Sequence, residues 1–314
     1  MRKLLYIVLF ASLIFAGCRS EDIPGEKQYN KQNDKNIEIS FSISEFKVSS
    51  TTSRSTRATQ AGSAAEQQIT NLYLFLFDAG GANPIKYYVD NSFSNGQWNT
   101  TEGKITLELT QAEAGTRQVY LVANVSPIIK TTLDGVSTLA ALKAVKSTVN
   151  TPWSSTLTTP ILMSGNATHN FVTNRILSSV PLTRALAKIE LNVTLPAKHQ
   201  DADPLHYRYN FIDFDKNTYV LEPTTKTNDL ATSDWQDWQV AGDVSSYTLL
   251  SGKVATLKIV TYINERNNVG SYIDIQLPYN AGPLPPPEFG DETFKLPLPS
   301  KIERNHWYKF DVTL

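Results

Sequence analysis

Residues 36–43 (NIEISFSI) place Ile37, Ile39, Phe41 and Ile43 at alternate positions with polar residues between them, the period-2 pattern of a half-buried strand. Phe46 and Val48 fall on the opposite parity. The phase therefore shifts between Ile43 and Phe46, through a bulge or a break into two short strands. Residues 69–78 (ITNLYLFLFD) are apolar on both faces, as in a strand covered on both sides. A turn signal, Ala-Gly-Gly-Ala-Asn-Pro, precedes a returning strand at 85–89. Ile105, Leu107 and Leu109 alternate cleanly, and 118–124 (QVYLVAN) is a second short apolar run. Leu139, Leu142 and Val145 have helical spacing, with Ser137 as a cap, so one short helix is predicted between 138 and 147. Residues 151–170, with Pro152, Pro160 and Gly165, read as loop.

The clearest alternation lies in residues 183–195 (TRALAKIELNVTL). Ala185, Ala187, Ile189, Leu191, Val193 and Leu195 face one way, and Arg184, Lys188, Glu190, Asn192 and Thr194 face the other. Only Leu186 breaks the pattern. A domain boundary is expected just before this strand, near 178–181, giving one domain over 36–179 and a second over 180–314. Further strands are predicted at 207–214, 254–262, 271–277, 294–298 and 307–314, separated by turn-rich stretches that include the Pro-rich 280–290. In the last of them Tyr308, Phe310, Val312 and Leu314 alternate with polar or amphipathic residues. Many short strands with few helices argue for a mainly β fold of two sandwiches.

Between the first two strands, residues 49–65 are almost all Ser, Thr, Ala, Gly and Gln. Arg54 and Arg57 are the only charges before Ala65, and no bulky apolar residue pins the tract down. Such a tract is expected to be exposed and open to a protease. The chain has 314 residues, room for two ordinary domains, and a formal net charge of −1. Without a run of Lys or Arg it has no electrostatic footprint for nucleic acid. Four His and one Cys leave little material for a metal site or a disulfide framework.

That one cysteine is informative by its place. Met1-Arg2-Lys3 is a positive start, 4–15 is a run of apolar and small residues too short to span a bilayer comfortably, and Ala16-Gly17-Cys18 follows. The segment 1–18 matches a secretory signal, and small residues directly before a Cys resemble the bacterial lipobox. Cys18 is thus expected to become the acylated first residue of an exported chain, with 19–35 as a flexible spacer.

These pieces together resemble the fimbrillin family, the type V pilins of Bacteroidales fimbriae. The resemblance is carried by the lipobox at Cys18, Thr56-Arg57-Ala58 ahead of ITNLYLFLFD, VYLVAN (119–124), MSG (163–165), LTRALAKIEL (182–191), TYINERNN (261–268) and RNHWYKFDV (304–312), in family order. It implies two transthyretin-like Greek-key β-sandwiches in tandem, with a short helix in the first. It also implies export as an outer-membrane lipoprotein and cleavage after Arg54 or Arg57 by an Arg-specific protease. Incorporation into an adhesive cell-surface fimbria would follow, with other fimbrial subunits as partners. In that scheme the first strand, Ile37, Ile39, Phe41 and Ile43, leaves and a neighbouring subunit's strand takes its place; Tyr308, Phe310 and Val312 are candidates for the exchanging terminal strand. Stalk members continue past the RN…Y strand with a further donor segment. This sequence stops at Leu314, so a tip, accessory or lipid-retaining anchor subunit stands as the alternative to a stalk pilin.

Asp213 and Asp215, or Asp201 and Asp203, lack the rest of a calcium ligand set. His169, His199, His206 and His306 are scattered, and GxSxG, HExxH and a phosphate-binding glycine loop are all missing, so neither an enzyme nor a cofactor is expected. Trp235 and Trp238 offer the rival reading from another class, a glycan-binding surface lipoprotein that stacks sugar on two indoles; packing over a hairpin or a sandwich end is the plainer use.

Overall fold

A computed structural model of the chain describes residues 35–50, 58–148, 160–238, 245–267, 270–280 and 289–314. The fold is mainly β, as expected. Leu72–Phe77 is buried at every position because both of its faces are covered. Leu72, Leu74 and Leu76 join Ile37, Ile39, Ile105, Leu107, Val180 and Leu182 in one core. Tyr73, Phe75 and Phe77 point the other way, into a second cluster with Ile129, Leu133 and Leu142. Those last three come from two short helices on the outer face. Pro127–Asp134 is capped by Ser126, and Leu139–Ala144 by Thr138, one residue beyond the predicted cap Ser137.

The first sheet runs in the order Ile85–Val89, Leu72–Phe77, Thr116–Ala123, Met163–Asn170, Ile176–Arg184, Asn36–Ile43, Lys104–Thr110, Gly96–Asn99. Strands from both ends of this order share one core, so the eight wrap around it as the faces of a sandwich do. Met163–Asn170 corrects the expected loop. Its residues are mostly polar and alternate outward, so hydrophobicity does not mark it, yet it pairs with Thr116–Ala123 along its whole length. Gly165 is required there, since a Cβ would lie 2.2 Å from the Pro181 carbonyl oxygen.

The second sheet has the order Ser245–Leu250, Lys253–Asn264, Leu186–Thr194, His306–Thr313, Phe46–Ser50, Thr59–Gln60. A four-stranded layer, Gln236–Asp237, Arg208–Ile212, Tyr272–Asn280, Phe289–Pro297, covers its core of Ile189, Leu191, Phe211, Ile259, Ile273 and Phe310. The chain crosses between the sheets at Ala185 rather than at 178–181. Ile176–Arg184 still belongs to the first sheet, with Val180 and Leu182 in its core. Leu186 breaks the alternation because it begins the new sheet while still packing against the first core.

An excursion from the second half reaches back over the first. Asn217–Tyr219 pairs with Lys146–Thr148, and Val220 and Leu221 enter the cluster of Phe75, Phe77 and Leu142. Buried ion pairs hold its base: Lys226 lies 3.3 Å from Asp215, and Arg304 lies 2.8 Å from Glu265. Asp215 is thereby used within the fold. Among the described residues no group of three or more His, Cys, Asp or Glu could hold a metal ion.

Candidate strand-exchange site

The phase shift after Ile43 resolves into two strands that go to different sheets. Asn36–Ile43 enters the first sheet between Ile176–Arg184, to which it is parallel, and Lys104–Thr110, to which it is antiparallel. Phe46–Ser50 crosses to the second sheet and pairs in parallel with His306–Thr313. Residues 36–48, expected to lie wholly within the first domain, therefore serve both halves. The first strand does not lie at a sheet edge; it lies inside the sheet and joins the Gly96–Asn99 and Lys104–Thr110 pair to the rest.

Burial along this leading segment is uneven. Ile37 and Ile39 are wholly buried, Phe41 and Ile43 are half-buried, and Phe46 is wholly buried. Between the two isoleucines, the Glu38 carboxylate is gripped from both walls, by Lys104 Nζ at 2.8 Å and by the Arg175 guanidinium. Hydrogen bonds from Lys104, then from Arg175, hold its pKa below the ordinary glutamate value. A bulge separates Ile39 from Phe41. The Phe41 N–H donates to the Gly103 carbonyl at 2.8 Å, and Gly103 itself has φ +60°, with no room for a Cβ beside the Phe41 oxygen. Beyond it a cleft of about 270 Å³ opens between Phe41, Ile43, Ile69 and Trp98.

Where the segment crosses between sheets it meets a buried polar knot. Arg184 Nη1 donates to the Ser44 carbonyl at 2.7 Å and to Asn305 Oδ1 at 2.9 Å, and Arg184 Nε donates to the Glu66 carbonyl at 3.1 Å. The guanidinium also lies over the Phe46 ring, 4.2 Å from its centroid. Asn305 Nδ2 donates to the Glu45 carbonyl at 2.7 Å. Glu66 comes from the short turn that follows the arginine tract; its carboxylate accepts from the Ser63 N–H at 2.6 Å, pairs with Lys188 at 2.9 Å and accepts from the Tyr262 hydroxyl. Burial pushes the Glu66 carboxyl up, but those hydrogen bonds outweigh it and leave the pKa lowered.

Arg184 and Lys188, expected on a solvent face, are buried because Phe46–Ser50 and the 62–67 turn cover that face. Alternation alone could not reveal this, since the covering segment lies far away in sequence. Glu66, Tyr262 and Asn305 were likewise missed. The available signal was a carboxylate, Glu66, directly after the arginine tract, and an Arg and a Lys on the polar face of the clearest strand.

Chain direction at the linker is also defined. Val48 N–H donates to the Ala58 carbonyl at 2.9 Å, and Thr59–Gln60 returns antiparallel to Phe46–Ser50. The two flanks of 51–57 are thus paired at the outer edge of the second sheet. Arg54 and Arg57, like Cys18, lie outside the described residues. Tyr308 and Phe310 are buried in the second core and Val312 packs on it. Their strand lies between Leu186–Thr194 and Phe46–Ser50, forming the wall on which the leading segment rests. Trp238 is 1% exposed and its indole N–H donates to the Ser246 carbonyl at 2.9 Å, so it packs in the core and offers no stacking face.

Residues 37–204 match the family described as major fimbrial subunit protein (FimA), and residues 185–313 match the C-terminal part of the minor fimbrium tip subunit MfA4. Over the full length of both chains the protein is 45% identical to the minor fimbrium tip subunit MfA4 of Porphyromonas gingivalis. The chain belongs to the Bacteroidales fimbrillin family. In fold, this fimbrillin is similar to a cell adhesion protein from Bacteroides eggerthii, with a TM-score of 0.57 at 17% identity over 90% of this chain and 87% of that one. A second cell adhesion protein, from Parabacteroides distasonis, aligns with a TM-score of 0.56 at 14% identity over 89% of each chain. The fimbrillin is accordingly a fimbrial subunit of the cell surface, and other fimbrial subunits are its natural partners.

Proposed function

We propose that this fimbrillin is a tip subunit, exported as a lipoprotein acylated at Cys18. On this reading it is freed and activated by cleavage after Arg54 or Arg57, and joined to the fimbria when another subunit's strand replaces residues 36–50. One observation carries the reading. The leading segment fills a slot in each sheet with fully buried Ile37, Ile39 and Phe46, and it connects to the permanent chain only through the arginine tract. At about 1.5–3 kcal/mol of gross gain for each buried apolar side chain, the slot strongly favours being refilled once emptied. Unpaired backbone groups along Ile176–Arg184, Lys104–Thr110 and His306–Thr313 would add to that demand. The tip assignment follows the full-length likeness to a protein named as a tip subunit.

Amino-terminal sequencing of the protein recovered from isolated fimbriae tests this. A terminus at Ser55 or Ala58 is the expected result. An acylated Cys18 on an uncut chain within fibres would overturn cleavage and exchange together. Immunogold labelling at fibre ends, as against along the shaft, tests the tip position separately.

A further inference from the structure

The leading segment is held by two features of quite different chemistry, eight residues apart. In the first sheet, Glu38 stands between two fully buried isoleucines and is shared by Lys104 at 2.8 Å and Arg175, one from each wall of the slot. Among the described residues neither cation has another carboxylate within ion-pair distance, and Glu102 acts on Lys104 only from further away. In the second sheet, Phe46 fills a slot between the Arg184 guanidinium, 4.2 Å from its ring centroid, and the Trp307 ring, 6.0 Å away at 69°. Departure of the segment leaves these two places in different states. Arg184 and Lys188 keep Asn305 and Glu66. Lys104 and Arg175, each about a third exposed on the opposite face of the strand from Ile37 and Ile39, keep no acid within ion-pair distance among the described residues.

We propose that the emptied slot selects its new occupant by this pattern. The occupant is a segment of another fimbrial subunit with a carboxylate between two aliphatic residues and an aromatic ring eight positions further on. It runs parallel to Ile176–Arg184 and then to His306–Thr313, as the present segment does. The inference rests on the strand replacement proposed above and adds the rule by which strands are chosen. A neutral residue at the acid position leaves two neighbouring cations without their shared partner, and a basic residue adds a third positive charge beside them; both are costs that a correct strand avoids.

The test uses the full chain with residues 51–57 replaced by a site for a sequence-specific protease, so that natural processing does not enter. After cutting, labelled synthetic peptides spanning 36–50 compete with the resident segment, and exchange is followed by native mass spectrometry. Relative to the native peptide, E38Q is expected to enter about tenfold less and E38K about a hundredfold less, with Lys104→Glu or Arg175→Glu in the protein restoring E38K. A F46A peptide is expected to lose entry, whereas K47A, altered at an exposed position, keeps it. Equal entry of the native, E38Q and E38K peptides overturns the selection rule while leaving replacement standing. Failure of every peptide to enter overturns replacement, and the rule with it.

Discussion

Arg184 Nη1 donates to Asn305 Oδ1 at 2.9 Å, a buried bond between the end of a first-sheet strand and the residue that opens the terminal strand of the second sheet. The same guanidinium bonds the Ser44 and Glu66 carbonyls and covers Phe46. One side chain therefore ties together the leading segment, the turn after the arginine tract, and both sheets.

Replacing Arg184 by Ala strips that seam and leaves the Glu66 and Ser44 carbonyls and the Asn305 amide oxygen without their donor. A loss of about 3–5 kcal/mol is expected, since each buried acceptor left unsatisfied costs about 1–3 kcal/mol. Arg184→Lys should recover little, since one ammonium cannot span the positions that the planar fork reaches. Arg208→Ala, whose ion pair with Asp237 is largely exposed, should change stability by about 1 kcal/mol or less. Urea unfolding of the three variants measures this, and equal midpoints for Arg184→Ala and Arg208→Ala would count against the seam.

Acid should loosen the leading segment. Glu38 and Glu66 both have folded-state pKa values lowered below 4.5, so their ionised forms favour the folded state. Their contribution is complete above the unfolded value and is lost as pH falls through the lowered folded values. Asp215 and Asp274, whose carboxyls burial pushes up, act in the opposite sense, so the informative measurement compares variants. Glu38→Gln should be less stable than the native chain near pH 7, and the two melting curves should converge as pH falls through the lowered folded-state value of Glu38. A constant gap between them at every pH would show that the carboxylate charge contributes nothing.

Trp238 and Trp235 should separate cleanly in stability. Trp238 is enclosed, packs edge-on to Tyr209 at 4.9 Å and has its N–H bonded, so Trp238→Ala should cost about 3–5 kcal/mol. Trp235 is half-buried, and Trp235→Ala should cost much less. Thermal melts of the two variants decide it; equal losses would mean that the two indoles share one environment.

The apolar pattern along 36–43, 69–78 and 183–195 was enough to identify the strands that build both cores, because each buries one or two regular apolar faces. It could not say which sheet a strand enters. The shift between Ile43 and Phe46 was visible as a change of parity, but parity carries no information on the partner, so two sheets were read as one. Met163–Asn170 escaped because its place in the sheet is set by backbone pairing and by Gly165, with few apolar side chains to mark it. Arg184, Lys188 and Glu66 escaped for a related reason. Burial of a charge is decided by what packs over it, and here the cover is supplied from more than a hundred residues away in the chain.

The internal position of Asn36–Ile43 has a dynamic consequence. Among the described residues, Gly96–Asn99 and Lys104–Thr110 reach the rest of the first sheet by strand pairing only through that strand. Once it is gone, the pair is a two-stranded leaf held by packing of Ile105, Leu107 and Leu109, and such a leaf is only marginally stable by itself. In the cut protein stripped of residues 36–50, amides of 96–110 should exchange with solvent at least about a hundredfold faster than in the intact chain. Those of Leu72–Phe77 and Thr116–Ala123, which pair with each other, should stay protected. Adding the 36–50 peptide should restore protection in the leaf. Hydrogen exchange read by mass spectrometry resolves these segments separately, and unchanged protection across 96–110 would mean that side-chain packing alone fixes the leaf and that the slot stays open and rigid while empty.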